Sequence, residues 1–274
     1  MNRRGFSLLE LLIALGLTSL VALMAWSILQ RAAFQLRDRS ERIGLEHALR
    51  VGSLAGRALL EPLGEDSTAG ADLALAAPDG LVARAVRGSG VVCAAGTDSL
   101  TVRSGPGWWT ELRAPSGGRD SVMVGTVAGP DHWIVTALDA GPVSGTCPDG
   151  TPARVFLARL VAADLAAVGP GSPVRVFEPI ELRAYSSGGA IWLGMRGAGS
   201  AGSIQPLAGP FAGGGVQFSY YSRAGAGVTA SGGVSRAGLV ITAVTERAAG
   251  VGIARAFRIR SDSAGGSILL RNAP

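Results

Sequence analysis

From Phe6 to Leu29 the chain is apolar at every position except Glu10 and the small hydroxyl residues Ser7, Thr18, Ser19 and Ser27. No proline interrupts the run and strong helix formers dominate it, so the pattern predicts a helix about 36 Å long, enough to cross a bilayer. From Gln30 to Glu61 charged residues alternate with Phe34, Leu36, Ile43, Leu45, Leu49, Val51, Leu54 and Leu59. Their mixed three- and four-residue spacing is that of an amphipathic helix. Glu61-Pro62 is the expected stop, because proline has no N–H to continue the helix. The two halves therefore read as one long helix, hydrophobic all round in 6–29 and one-faced in 30–61.

After Pro62 the helical period gives way to short strand-like runs. They lie at 81–86, 99–104, 121–127, 132–138, 154–161, 174–185, 190–196, 216–221, 239–245 and 254–260, separated by Gly, Pro, Ser and Asp clusters. Several alternate in polarity; in the last, Phe257 and Ile259 share one side while Arg258 and Arg260 share the other. Residues 62–274 are thus expected to form an antiparallel β-rich body. A sheet laid on the one-faced half of the helix would bury both apolar faces, giving an α+β fold.

Composition adjusts this picture little. The chain has 274 residues, room for one or two domains, and its 41 Gly and 14 Pro make it loop-rich without low complexity. All 25 basic residues are Arg, which excludes a Walker A phosphate loop with its required Lys. Residues 1–61 carry eight Arg against five acids, and residues 62–274 carry 17 against 15. The body is nearly neutral and has no basic run interleaved with stacking aromatics, so no nucleic-acid partner is expected. Cys93, in "GVVCAAGT", reads as a strand end, and Cys147, in "SGTCPDG", as a turn. Neither has a second Cys or His at metal spacing. Outside the cytoplasm the two would form a single disulfide; inside it they would be two buried thiols.

Three readings of the N-terminus compete. A cleavable signal peptide suits the basic "MNRR", yet the apolar run is long, holds a charge and lacks an A-x-A cleavage site near its end. A plain anchor accounts for the length but leaves Glu10 ionised in hydrocarbon, at a cost of about 3 kcal/mol. The third reading comes from "RRGFSLLELLIALG", which resembles the processing site of type IV prepilins and type II secretion pseudopilins. The resemblance implies that residues 1–5 are a leader and that a prepilin peptidase cuts after Gly5. Phe6 would then become the N-methylated terminus, with Glu10 as the fifth mature residue. In that family the subunit joins a filament, where the Glu10 carboxylate would meet the α-ammonium of a neighbouring subunit and both charges would find a partner.

The resemblance further implies a pilin-like fold, single-pass insertion in the inner membrane, and a body on the periplasmic or outer side. It also implies a filament position after assembly, and a body on that side would carry the disulfide between Cys93 and Cys147. Other major and minor pilins and an inner-membrane platform with its ATPase are the implied partners, with no cofactor and no catalysis by the chain itself. Arg31, Arg37, Arg39 and Arg42 follow the span closely and outnumber Arg3 and Arg4, so charge count alone favours the opposite orientation. The leader motif and the cysteines decide for a body outside. Further on, "PLAGPFAGGGVQFSYYSRAG" followed by "GLVITAVT" resembles the closing region of larger minor subunits. W-type minor pilins and the J-type minor pseudopilin of type II secretion are the groups in question. A minor pilin of a priming or tip complex is therefore expected, against a pseudopilin of secretion or DNA uptake, or a tethered binding domain that joins no filament.

Catalytic signals are sparse. His47 sits among charged helix residues, on an expected solvated face, and His132 starts a strand. Gly197–Gly202 fits G-x-G-x-x-G, but Pro206 follows and no helix opens there. The loop acids Asp98, Asp120, Asp131, Asp139 and Asp149 are scattered, which leaves Glu65, Asp66 and Asp72 as the best candidate for calcium, with no metal expected. Trp108-Trp109, in an expected loop, are either a partner contact or core beneath a Gly-rich segment.

Overall fold

The computed structural model describes residues 7–66, 69–127, 132–200, 202–229, 233–245, 249–251, 256–258 and 261–270. A single helix, α1, runs Leu8–Leu60. It ends beside the expected stop, and the Glu61 N–H still reaches the Arg57 carbonyl at 2.9 Å. The described chain forms two compact units, one holding α1 up to His47 with Val244–Asp262, the other Ala48–Ala243 with the segment from Ser263.

Within the second unit, the end of α1 packs on the sheet through a stripe of small residues. Ala48, Leu49 and Leu60 are buried, and Gly52 and Gly56 share their face. A Cβ on Gly52 would stand 2.8 Å from Ile241 Cδ1 and 3.1 Å from Phe211 Cζ. A Cβ on Gly56 would collide with Leu239 Cδ2. The strand side chains thus occupy the space that larger helix residues would need. Phe34, Leu36, Ile43 and Leu54, which the periodicity placed on a buried stripe, are exposed. Hydrophobicity counts miss this seam because its key members, Ala and Gly, carry almost no side chain.

The body begins with a two-stranded ladder of β1 (Glu65–Asp66) and β2 (Gly70–Ala71). Next come β3 (Leu73–Ala77), β4 (Gly80–Gly96), β5 (Ser99–Arg103) and β6 (Trp109–Glu111). The chain continues with β7 (Ser121–Gly125), β8 (Trp133–Thr146), β9 (Pro152–Ala158) and a short helix, α2 (Ala162–Ala167). Then follow β10 (Pro173–Ser187), β11 (Ala190–Gly197), β12 (Gln205–Tyr221) and β13 (Arg236–Val244). The last described strands are β14 (Ala249–Val251), β15 (Ala256–Arg258) and β16 (Ser261–Leu269). The polarity alternation expected for 254–260 rests on side chains outside the described residues.

The long strands β4 and β10 pair antiparallel from Gly80–Arg183 to Val91–Pro173, with a register shift at Val176/Phe177. One half of this pair belongs to an open sheet of order β3-β4-β10-β11-β12-β13-β16, whose β12 and β13 receive the end of α1. The other half closes a ring of pairings, β4-β5-β9-β8-β7-β10 and back to β4. The ring's remaining strands lie between β4 and β10 in sequence, so it is an insertion into the sheet. Val92, Leu100, Val102, Val122, Val124, Phe156 and Val176 fill it, with no measurable exposure. The result is a pilin-like α+β fold, a long N-terminal helix whose end from Ala48 packs on a large antiparallel sheet.

The back-half motif has a structural role. Val216, Phe218 and Tyr220 all face inward on β12. The Tyr220 hydroxyl donates to the Gly80 carbonyl at 2.8 Å, with the Ala77 carbonyl at 3.1 Å. The Phe218 N–H reaches the Pro78 carbonyl, so β12 holds the β3–β4 turn at three points. Burial pushes the Tyr220 phenol up from its ordinary value.

Cys93 and Cys147 are joined by a disulfide, with their Cα atoms 5.7 Å apart. Cys93 lies inside β4 rather than at a strand end, because the β4 ladder continues to Gly96 through its pairing with β5. The bond closes a loop of 54 residues, worth about 4 kcal/mol in the chain-entropy model. The double variant Cys93→Ser/Cys147→Ser should lose about 2–4 kcal/mol of body stability, measured by urea denaturation.

Candidate functional site

Gly5 and Phe6 lie outside the described residues. Just beyond them, Ser7 and Glu10 build the start of α1. The Ser7 N–H donates to Glu10 Oε2 at 3.1 Å, and Ser7 Oγ accepts from the Leu9 N–H at 3.3 Å. Ser7 is thus the N-cap, its Oγ taking the second helical amide while the Glu10 carboxylate reaches back to the Ser7 N–H, and both bonds satisfy amides the first turn leaves open. The S-x-x-E spacing of "SLLE" was readable in the sequence, so Glu10 has a local partner as well as its charge.

Every large apolar side chain from Leu8 to Leu29 is more than half exposed. The helix is long and apolar enough to cross a membrane. Thr18 and Ser19 return their hydroxyls to carbonyls within the helix at 2.8 Å, and Ser27 does so to Met24 at 2.8 Å. Such back-bonding settles those polar groups internally. Glu10 is then the one ionisable side chain in the described part of the apolar stretch.

The tryptophan pair divides. Trp109 begins β6 and is 9% exposed, its ring 5.2 Å from that of Phe156 and pressed on Gly88 and Gly90 of β4. A Cβ on Gly90 would stand 2.7 Å from the Trp109 ring. Trp109 is therefore core in a strand, not loop; Gly105, Pro106 and Gly107 just before it gave the stretch its loop character. Trp108 is 52% exposed, with the Arg103 guanidinium 5.3 Å from its ring centre.

Other residues singled out in the sequence stand apart. His47 and His132 are exposed. Asp72 is buried, accepts the Gly64 N–H at 2.9 Å and lies 3.7 Å from Arg84. Burial pushes its carboxyl above the ordinary value, against the pull of that N–H and of Arg84. The side chains of Glu65 and Asp66 and all of Asp131 lie outside the described residues. Asp98 is exposed, Asp139 faces Arg159, and Asp149 pairs with Arg103. Two bonds from Thr151, then the one from Arg103, hold Asp149 down at about 2. Gly197–Gly202 connects β11 to β12 with no helix opening among its described residues.

Sequence reading missed the densest charge cluster, centred on Glu178 of β10, which is 2% exposed. Arg87 of β4 reaches its Oε2 at 2.7 Å, Arg113 the same oxygen at 3.0 Å and Arg119 its Oε1 at 2.6 Å. Arg113 also grips the buried Asp120, whose Oδ2 accepts the Ser116 N–H at 2.7 Å. Burial would raise the Glu178 carboxyl, but the bonds from Arg119, Arg113 and Arg87 outweigh it and bring it to about 2. Asp120 was visible only as one more loop acid, because nothing local in sequence announces partners from β4 and β10.

Against known proteins, residues 1–26 match the family model of the prokaryotic N-terminal methylation motif. Comparisons with curated proteins and with solved structures returned no match. The chain thus combines a prepilin-type methylation motif with a pilin-like fold.

Replacing Glu178 with Gln should cost about 3–5 kcal/mol, because three guanidinium groups lose their shared anion. A carboxyl depressed from 4.5 to about 2 contributes stability that is present above its ordinary value and lost as pH falls through the folded one. The stability gap between wild type and Glu178→Gln should therefore narrow from pH 4.5 toward pH 2, followed by urea midpoints.

Proposed function

We infer that the chain is a minor type IV pilin-like structural subunit, matured by a prepilin peptidase between Gly5 and Phe6 and methylated at Phe6. The single observation that carries this reading is the methylation motif at residues 1–26 opening directly into an exposed apolar helix. In the membrane that helix anchors the precursor; in a filament it packs among like helices. Glu10 then serves twice, capping its own helix through Ser7 and offering its negative charge to the Phe6 ammonium of a neighbour. A body outside the cytoplasm agrees with the Cys93–Cys147 disulfide.

Residues 62–274 make a large head, with a six-stranded ring inserted into the sheet. A place in the priming or tip complex, beside other pilins and above the inner-membrane platform, suits such a head. The back-half strand with Tyr220 favours the W-type or J-type groups within that class. Pilus and secretion roles separate on deletion in the native host, by which output fails: motility, secretion or DNA uptake.

Glu10→Gln keeps a side chain able to cap Ser7 but removes the charge, whereas Glu10→Ala removes both. Both variants should enter the membrane at wild-type amounts and drop at least about tenfold in sheared filaments, counted by immunoblot. Normal incorporation of Glu10→Gln would reduce Glu10 to a helix cap and overturn the assembly role.

A further inference from the structure

We propose that the ring carries a binding groove for an acidic oligosaccharide, one whose sugar rings bear carboxylates. The groove, of about 420 Å³, crosses the outer face of the ring where β6, β4 and β10 run side by side. Thr110, Ser89 and Arg175 stand opposite one another on those three strands and form a single cross-strand row. Trp108 and Trp133 line the groove beside it.

Each component suits one part of a sugar acid. Trp108, half exposed, offers a flat apolar surface to the C–H face of a ring. The Arg175 guanidinium lies 5.0 Å from the centre of the Trp133 ring, an arrangement that restrains both side chains. Ser89 Oγ and Thr110 Oγ1 are 3.0 Å apart, and each keeps lone pairs for the hydroxyls on a sugar's rim. Arg175 is the only ionisable residue among the described residues lining the groove; the buried Asp72 feels its charge but is already held by the Gly64 N–H and by Arg84, so the charge the groove invites is negative. Arg103, behind Trp108, is already matched by Asp149.

Competing ligands fit less well. An extended peptide binds by adding to a free strand edge, but along the groove floor β4 is paired with β6 and β10, β10 with β4 and β7, and β6 at the rim is only three residues long. A nucleic-acid strand brings a phosphate with every base, and the groove supplies a single guanidinium.

The test is calorimetric titration of the full chain in a sugar-free zwitterionic detergent. The probes are tetragalacturonate, neutral cellotetraose and oligothymidine. Tetragalacturonate should bind saturably and more tightly than cellotetraose. Trp108→Ala should weaken it at least about tenfold, Trp108→Phe should restore part of the loss, and Arg175→Gln should erase the preference for the acid. Circular dichroism checks that each variant is folded; because Trp108 is half exposed, its variants isolate binding from stability. Absence of saturable tetragalacturonate binding, unchanged binding by folded Trp108→Ala, or tighter binding of oligothymidine would each overturn the proposal.

Discussion

The antiparallel pair of β4 and β10 bears the rest of the body. Each strand is long enough to serve two structures, the open sheet that receives the end of α1 and the closed ring inserted beside it. The two parts diverge around Phe177, where the register shifts and β10 leaves β7 for β11. Glu178 sits at that fork. Its carboxylate draws in Arg87 from β4, Arg113 from beyond β6 and Arg119 from before β7, so one buried anion ties the segments that must separate there. Leaving such a cluster half-satisfied would cost more than an apolar replacement, which makes it a device for specifying the junction rather than a source of surplus stability.

The same logic of matched charge underlies the other end of the molecule at a different scale. Ser and Thr hydroxyls along the apolar helix are settled by their own backbone, and Glu10 is settled only in part, through one amide of Ser7. A carboxylate with remaining capacity, at the start of a helical stretch whose large apolar side chains from Leu8 to Leu29 are all exposed, is chemistry suited to association within a membrane or filament. On that reading the body is a folded load carried by the helix, and the proposed groove between Trp108 and Trp133 would give it something to bind.

The helix, its end near Pro62 and the cores of most strands were legible because periodicity and proline act locally. The helix–sheet seam was not, since Gly52 and Gly56 contribute by what they lack. β4 and β12 run longer than their apolar centres because Gly88, Gly90 and Gly215 break the pattern where a ring or a carbonyl comes close. α2 lacks the length to display a period, and it escaped notice. At the N-terminus Gly5, Phe6 and Glu10 drew notice through the resemblance of their motif to prepilins, while the capping role of Ser7 lay unread in "SLLE". The Glu178 cluster joins residues from Arg87 to Glu178 and could emerge only once the strands were assembled.

Whether this chain is a processed subunit of a filament system can be read from the intact mass and N-terminal sequence of the protein taken from its native membranes. A mature chain beginning at Phe6 and carrying one added methyl group is the expected result. An uncut chain, or one cut after the apolar stretch, would refute the filament role and leave a tethered or secreted β domain in its place.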